Sequence, residues 1–427
     1  MLPLAIDQSR RYLQMSDGTP FHWIGDTAWE LFHKLNCEEA IWYLTERAKQ
    51  GFTVIQAVIL AECDGLHTPN AYGRLPLRMD TNGLPDPTKP DCTGKYSYFD
   101  HVETILCAAE SRGLYMAVLP TWGDKWNRKW GVGPEIFTPE NAFQYGKWLA
   151  ARLCHHDNLI WLLGGDRPIE TPGQRTVINA MADGLRAGDG GKFLIGFHPS
   201  GAASSAQFVS DAPWCDFHMT QSGHGFPSKA AYLLTGADYS HQPTRPVIDG
   251  EICYEDHPKN FDAANGYFDE TDVRQTLYWN YFSGACGCTY GHSSIWRFQT
   301  ETDPYFPNTW KTAIHRPAAM KMHLLGDFLK RHNLREHTPV TEAVQDNVPS
   351  AQYVAAMVGT DSAYVYIPNG APVVWNRAVI PFRKAVLFQP RTGKYTNEMP
   401  LFDRMRFSAG GRGMDVVVIA YDDAAKI

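Results

Sequence analysis

Between residues 21 and 297, short apolar runs alternate with longer stretches whose apolar positions recur at helical spacing. The runs cover residues 21–26, 52–60, 114–120, 159–163, 193–198, 216–220, 246–249 and 287–292. Near-continuous apolar composition marks a strand buried on both faces, as parallel strands are. Between the runs, helices are predicted over residues 37–50, 98–112, 174–186 and 271–282, with another opening at Thr138. The local punctuation agrees. Asn36 can cap the first, Gly113 follows the second, and Thr138-Pro139-Glu140 supplies a capping hydroxyl and a first-turn proline. Eight strands alternating with helices predict an α/β fold, a (β/α)8 TIM barrel.

Beyond residue 334 the period changes from helical to alternating. Residues 353–358, 363–367, 385–388 and 415–420 read as short strands, separated by turns such as Pro368-Asn369-Gly370 and Ala409-Gly410-Gly411. A helix over residues 316–330 leads into them. The expected organisation is a catalytic barrel over residues 1–334 and an antiparallel β-sandwich accessory domain over residues 335–427.

Composition narrows the partners. The 427 residues carry 39 basic and 46 acidic side chains, a net charge of −7, with no Lys/Arg run. A nucleic-acid partner is therefore not expected. No apolar stretch reaches the roughly 18 residues of a membrane helix. The start, Met1-Leu2-Pro3-Leu4-Ala5-Ile6-Asp7-Gln8, has neither the basic region nor the apolar core of a signal peptide. The chain thus reads as cytoplasmic, or as secreted or periplasmic with its leader removed. Nine scattered cysteines read as reduced thiols. The pair Cys286-Gly287-Cys288 has no second pair at metal-ligand spacing, so no metal and no cofactor is expected. Nothing in the sequence sets an oligomeric state.

Chemistry in such folds sits at the C-terminal ends of the strands. In strand order those ends offer Asp26 with Trp29, Glu62 with Asp64, then Trp122, Asp124 and Trp126. Asp166 with Arg167 and His198 come next. His218, Gln221 and His224, Asp249 with Glu251, and finally His292 with Trp296 complete the set. Asp, Glu, His and Trp with few Lys suit a neutral polyhydroxylated ligand. A phosphate site would want glycine-rich turns and basic side chains.

Two of the runs stop on a carboxylate that follows glycine, Gly164-Gly165-Asp166 and Asp249-Gly250-Glu251. They are the fourth and seventh strands, which face each other across an eight-stranded mouth. A carboxylic acid and a carboxylate so placed are the two groups glycoside hydrolysis requires. A lone carboxylate at a strand end is more often a loop cap; two at matching ends favour chemistry. Asp249 is the rival to Glu251, or its buried hydrogen-bonding partner. Arg167 would depress the pKa of an acid at Asp166 unless it points away.

The other residues admit two readings each. Asp26 is a substrate-hydroxyl binder or a helix cap. Trp122, Trp126 and Trp296 stack on a sugar or fill the core. His198, His218, His224 and His292 bind hydroxyls or a metal, although barrel amidohydrolases want a His-x-His on the first strand, which His22-Trp23-Ile24 lacks.

The segments Phe21-His22-Trp23-Ile24-Gly25-Asp26-Thr27-Ala28-Trp29, Gly164-Gly165-Asp166 and Asp249-Gly250-Glu251, with Tyr254-Glu255 just beyond, resemble the apiosidase-like glycoside hydrolases of the cellulase-type barrel superfamily. The resemblance covers essentially the whole chain. It implies a barrel with a C-terminal β-sandwich and retaining exo-hydrolysis of a glycoside. Asp166 would be the acid/base, Glu251 the nucleophile, and Tyr254 a substrate contact. The substrate would be an oligosaccharide or glycoside, the family's characterised activity being release of apiose, a branched furanose, from a plant pectin side chain. The alternatives are a metal-dependent barrel hydrolase using His198, His218, His224 and His292, or a carbohydrate-binding protein on a degenerate barrel.

Overall fold

The computed structural model describes residues 1–226, 230–407 and 410–423. All eight apolar runs are strands: β1 (Trp23–Thr27), β2 (Val54–Leu60), β3 (Tyr115–Thr121), β4 (Leu159–Leu163), β5 (Ile195–Phe197), β6 (His218–Gln221), β7 (Val247–Asp249) and β8 (Gly287–Tyr290). With the two-residue segment Ala203–Ser204 they form one curled sheet in the order Ala203–Ser204, β6, β7, β8, β1, β2, β3, β4, β5. Every pair from β6 round to β5 is parallel, and only Ala203–Ser204 runs antiparallel, on β6. The flanks of the sheet approach each other. The Asp216 amide donates to the Ile195 carbonyl at 2.9 Å, and the Ile195 amide returns a bond to the Asp216 carboxylate at 2.7 Å.

Successive strand residues feed two different cores, as the twofold repeat of a strand requires. Val54, Val58, Ala117, Leu119, Ile160, Leu162, Met219 and Ile248 meet inside the curl. Ile55, Ile59, Met116, Val118 and Trp161 face outward onto helical residues such as Tyr43, Val102, Leu149 and Leu185. That is why the strands read as unbroken apolar runs.

The helices α1 (Cys37–Lys49), α2 (Tyr98–Glu110), α3 (Pro139–Leu153), α4 (Pro172–Asp189), α5 (Ala230–Ser240), α6 (Glu270–Phe282) and α7 (Met322–Arg331) supply that outer layer. Asn36 caps α1 as expected, and Thr138 and Thr171 close capping boxes on α3 and α4. The apolar pattern does not predict α5, whose sequence Ala-Ala-Tyr-Leu-Leu-Thr-Gly-Ala-Asp-Tyr-Ser has no clear polar face. The helix expected over residues 316–330 is broken at Lys321, giving Pro317–Met320 and then α7.

The C-terminal strands are antiparallel, in the spatial order Thr338–Val340, Ala355–Val358, Ser362–Ile367, Val416–Tyr421, Lys384–Gln389. The turn expected at residues 409–411 begins at Ala409, outside the described residues. One sheet face, through Met357, Tyr364, Tyr366 and Ile419, packs on Tyr278, Phe282 and Phe328 of α6 and α7. Tyr278 stacks on Tyr366 with centroids 5.2 Å apart, and Arg274 of α6 pairs with Asp415 at 2.8 Å. The other face is covered by Trp375, Ile380 and Phe382 and by a ribbon of Val373–Val374 with Arg404–Met405. Among the described residues no helix is long and apolar enough to cross a membrane.

Candidate active site

The turn after β4 is left-handed for three residues running: φ is 95° at Gly164, 74° at Gly165 and 58° at Asp166. Side chains could not replace the glycines. A Cβ at Gly164 would lie 2.2 Å from the His198 carbonyl oxygen, and one at Gly165 would lie 2.5 Å from the Gly123 nitrogen. Asp166 itself holds the strained conformation at a cost of about 1–2 kcal/mol, and its side chain enters a cleft of about 500 Å³. One oxygen is held twice. Trp130 Nε1 donates to Asp166 Oδ2 at 3.1 Å, and an Arg167 guanidinium nitrogen donates to the same oxygen at 3.2 Å. Among the described residues no donor reaches Oδ1. Arg167 therefore does not point away: it is fully buried and also bonds the carbonyls of Asn127 and Asp166. Its pull is outweighed. Burial and then the charge of Glu251 raise Asp166 to about 6, against the lowering effects of His198, Arg167 and Trp130.

Glu251 follows Gly250, where a Cβ would meet Met219 Sδ at 2.4 Å. Asp249, the last residue of β7, is wholly buried and already engaged. It accepts from the amides of Ser222 at 3.2 Å and Glu251 at 3.3 Å, and from the Asn280 side chain at 2.8 Å. It fixes the backbone that carries Glu251. His224 Nε2 lies 3.2 Å from Glu251 Oε1, and His198 Nε2 lies 3.4 Å from Oε2. Burial pushes this carboxyl up, but the two imidazoles prevail and hold it at about 2. The two carboxyl groups thus sense each other while their environments drive their pKa values apart.

Around the pair, Trp29 packs on His198 and on Trp122, with centroids 5.2 Å apart in each case. Tyr254 stands 4.5 Å from His224, and Trp296 packs against the cluster containing Trp29 and Trp122. Glu62, partly buried, is raised to about 8 by burial and then by the charges of Glu30 and Asp166. Gln221 lines the cleft. Among the described residues, Trp122 Nε1, His198 Nδ1 and Gln221 Oε1 are among the buried polar atoms here without a hydrogen-bond partner. Such atoms need a partner, and the hydroxyls of a polyol would supply them.

Four expected contacts belong elsewhere. Asp26 is fully buried between β1 and α1, bonded by Arg47 Nε at 2.5 Å and by the Tyr43 hydroxyl, so it neither binds substrate nor caps a helix. Asp124 pairs with Lys125 at 2.6 Å and accepts from the Gly133 amide at 2.8 Å, which ties down the loop that bears Trp130. His218 opens β6, at the opposite end from the cleft, against His241. His292 lies 3.0 Å from Asp256, which also takes Arg316 and Asn308. The four-histidine metal site therefore does not form. Among the described residues, the group of three possible ligands found within 4.8 Å of one another is Glu103, His155 and His156, on α2 and the turn after α3. Trp126 bonds the Gly164 carbonyl through its indole and is core.

Two aromatic cleft residues escaped the sequence reading, Trp130 and Phe261. The first had a signal, the glycine-rich Gly131-Val132-Gly133-Pro134 loop beside it. The second has none: it is a phenylalanine at φ 63° that ends the 3-10 turn Lys259–Phe261.

This geometry has relatives. Residues 7–336 match the family described as "Apiosidase-like, catalytic domain". The chain is similar to a glycoside hydrolase family 5 structure from Bacteroides vulgatus ATCC 8482, at 28% identity and a TM-score of 0.86 over 98% of this chain and 94% of that one. A second structure, described as a glycoside hydrolase, is also 28% identical, with a TM-score of 0.86 over 99% of this chain and 97% of that one. No protein of curated function matches the chain in sequence. A match that takes in the whole curled sheet and both carboxylate-bearing turns makes the chain a member of the apiosidase-like family of glycoside hydrolases, and a glycosidase.

Proposed function

We propose that this protein is a retaining, exo-acting glycosidase that removes a terminal furanosidic sugar from a plant or microbial glycan. The observation that carries the reading is the asymmetry of the two carboxyl groups in one cleft. Asp166 is held near 6 with one oxygen free, while Glu251 is held near 2 between two imidazoles. A pair driven apart in this way can serve as acid and nucleophile at one pH. Asp166 gives its proton to the leaving oxygen as the Glu251 carboxylate attacks the anomeric carbon and the glycosidic bond breaks. Asp166, now ionised, takes a proton from water, which displaces Glu251 from the sugar. His198, His224, Gln221, Trp122, Trp29 and Tyr254 would bind the sugar being released. The exo mode and furanoside preference rest on the family relationship.

The same reading takes residues 1–334 as a (β/α)8 barrel and residues 335–427 as a bracing β-sandwich. The Asp216–Ile195 bonds between the two flanks of the sheet support the first, and the core shared with α6 and α7 supports the bracing role.

The test is a screen of 4-nitrophenyl furanosides and pyranosides together with plant oligosaccharides, with the first-formed product sugar followed by proton NMR. The product is expected to keep the anomeric configuration of the substrate. Net inversion would sink the nucleophile role of Glu251, and sugar binding without any turnover would leave a binding protein instead.

A further inference from the structure

Two large aromatic side chains are exposed in the cleft, and each is associated with a different carboxyl group. Trp130 is 59% exposed and Phe261 is 63% exposed. Phe261 stands edge-on to His224, centroids 5.5 Å apart, on the side of Glu251. Trp130 donates to Asp166, and the Arg167 guanidinium lies 4.5 Å from its ring centroid. The loop is anchored at several points: Gly133 to Asp124, Arg128 to Glu135, and Lys129 to Glu170 at 2.5 Å. A tryptophan backed by a cation and otherwise open is a platform for the apolar face of a sugar ring.

The position of the acid gives the platform a side. In the mechanism proposed above, on which this inference rests, the proton of Asp166 goes to the oxygen that departs with the leaving group. Oδ2 is occupied by two donors, so the proton that is transferred sits on Oδ1. The sugar that leaves must then lie against the residue that flanks Asp166, while the sugar that stays lies towards Glu251.

We propose that Trp130 forms the leaving-group subsite, stacking on the departing sugar while its indole N–H holds Asp166 Oδ2 so that Oδ1 is the proton-donating atom. Trp130 is thus both a specificity residue and a positioning residue for the acid.

Two measurements test this. The first needs no substrate: carbon-13 NMR titration of the Asp166 carboxyl in the wild type and in Trp130→Phe. Loss of a hydrogen bond to the charged form should raise its pKa by about one unit. The second compares a pectin-derived oligosaccharide with the glycosyl fluoride of the same released sugar. Fluoride has no ring to stack and needs no proton. Trp130→Ala should raise KM about tenfold on the oligosaccharide and leave the KM for the fluoride within about twofold. Phe261→Ala, on the other side, should affect both substrates alike. An unmoved Asp166 pKa, or equal losses of Trp130→Ala on both substrates, overturns the proposal. If the wild type cleaves neither substrate, the glycosidase mechanism falls, and the titration still decides whether Trp130 positions Asp166. Because Trp130 is exposed, the variants should fold, which circular dichroism checks.

Discussion

Two buried charged clusters sit on the same sheet, and they are built to opposite ends. At β1, Asp26 is enclosed completely. Arg47 and Tyr43 hold one oxygen, and Arg47 is itself bonded to Gln50 at 2.7 Å and to the Ile314 carbonyl at 3.1 Å. No part of either side chain reaches solvent. At β4 and β7, Asp166 keeps 22% of its side chain exposed, with one oxygen open to the cleft, and Glu251 is gripped by histidines rather than by a guanidinium. A carboxylate at a strand end is thus structural when its partners are permanent cations sealed between sheet and helix. It is available for chemistry when it faces the cleft with one oxygen open, as Asp166 does although a buried guanidinium holds its other oxygen.

The sharpest break of this comparison is a pair of substitutions that should separate turnover from folding. Glu251→Gln should lower kcat by about 10⁴-fold or more, with an unchanged melting temperature. Arg47→Leu should do the reverse. It leaves Asp26 buried without its cation and should cost about 3–5 kcal/mol of stability, read by denaturant unfolding, while the folded fraction keeps its kcat. If Arg47→Leu abolished turnover without unfolding the protein, the division between the two clusters would be wrong. A smaller effect lies inside the functional cluster. His224→Ala removes one of two imidazoles on Glu251, and a charged hydrogen bond of this kind is worth about 1.5–3 kcal/mol. A loss of roughly 10- to 150-fold in kcat/KM is expected, with the acid limb of the pH profile moving upward.

The same comparison explains what the sequence could reveal. The strands were legible because both faces of each are buried, so an apolar run and a strand coincide from Leu159 to Leu163. The turns carrying Asp166 and Glu251 were legible because each carboxylate follows glycine, where a Cβ would meet the His198 and Gly123 backbone or the Met219 side chain. Asp26 looked equally suited to a site, since its sealing partner Arg47 is a helix residue 21 positions away and nothing local announces the pair. His218 and His292 failed for a related reason: a histidine next to a strand end does not say which end of the strand, or which carboxylate, it will meet. Helix α5 stayed hidden because a segment apolar nearly all round has no stripe to detect. The subtler miss concerned Arg167. Adjacency suggested either a depressed acid or a side chain turned away. In the folded protein the contact exists, and burial and Glu251 together override it.

That balance gives the smallest and most specific prediction. The proposed mechanism needs Glu251 ionised and Asp166 protonated, so kcat/KM should rise through a limb near pH 2 and fall through one near pH 6. The sign of each contribution to the upper limb can be checked separately. The charge on Glu251 opposes ionisation of Asp166, so Glu251→Gln should lower the Asp166 pKa. The Trp130 indole favours the ionised form, so Trp130→Phe should raise it. Carbon-13 titration of the Asp166 carboxyl in the two variants should therefore show displacements in opposite directions, each of about one unit. Displacements of the same sign would mean that Asp166 responds to a general loosening of the cleft. Opposite displacements would locate its acidity in two named neighbours, one on each side of the bond to be broken.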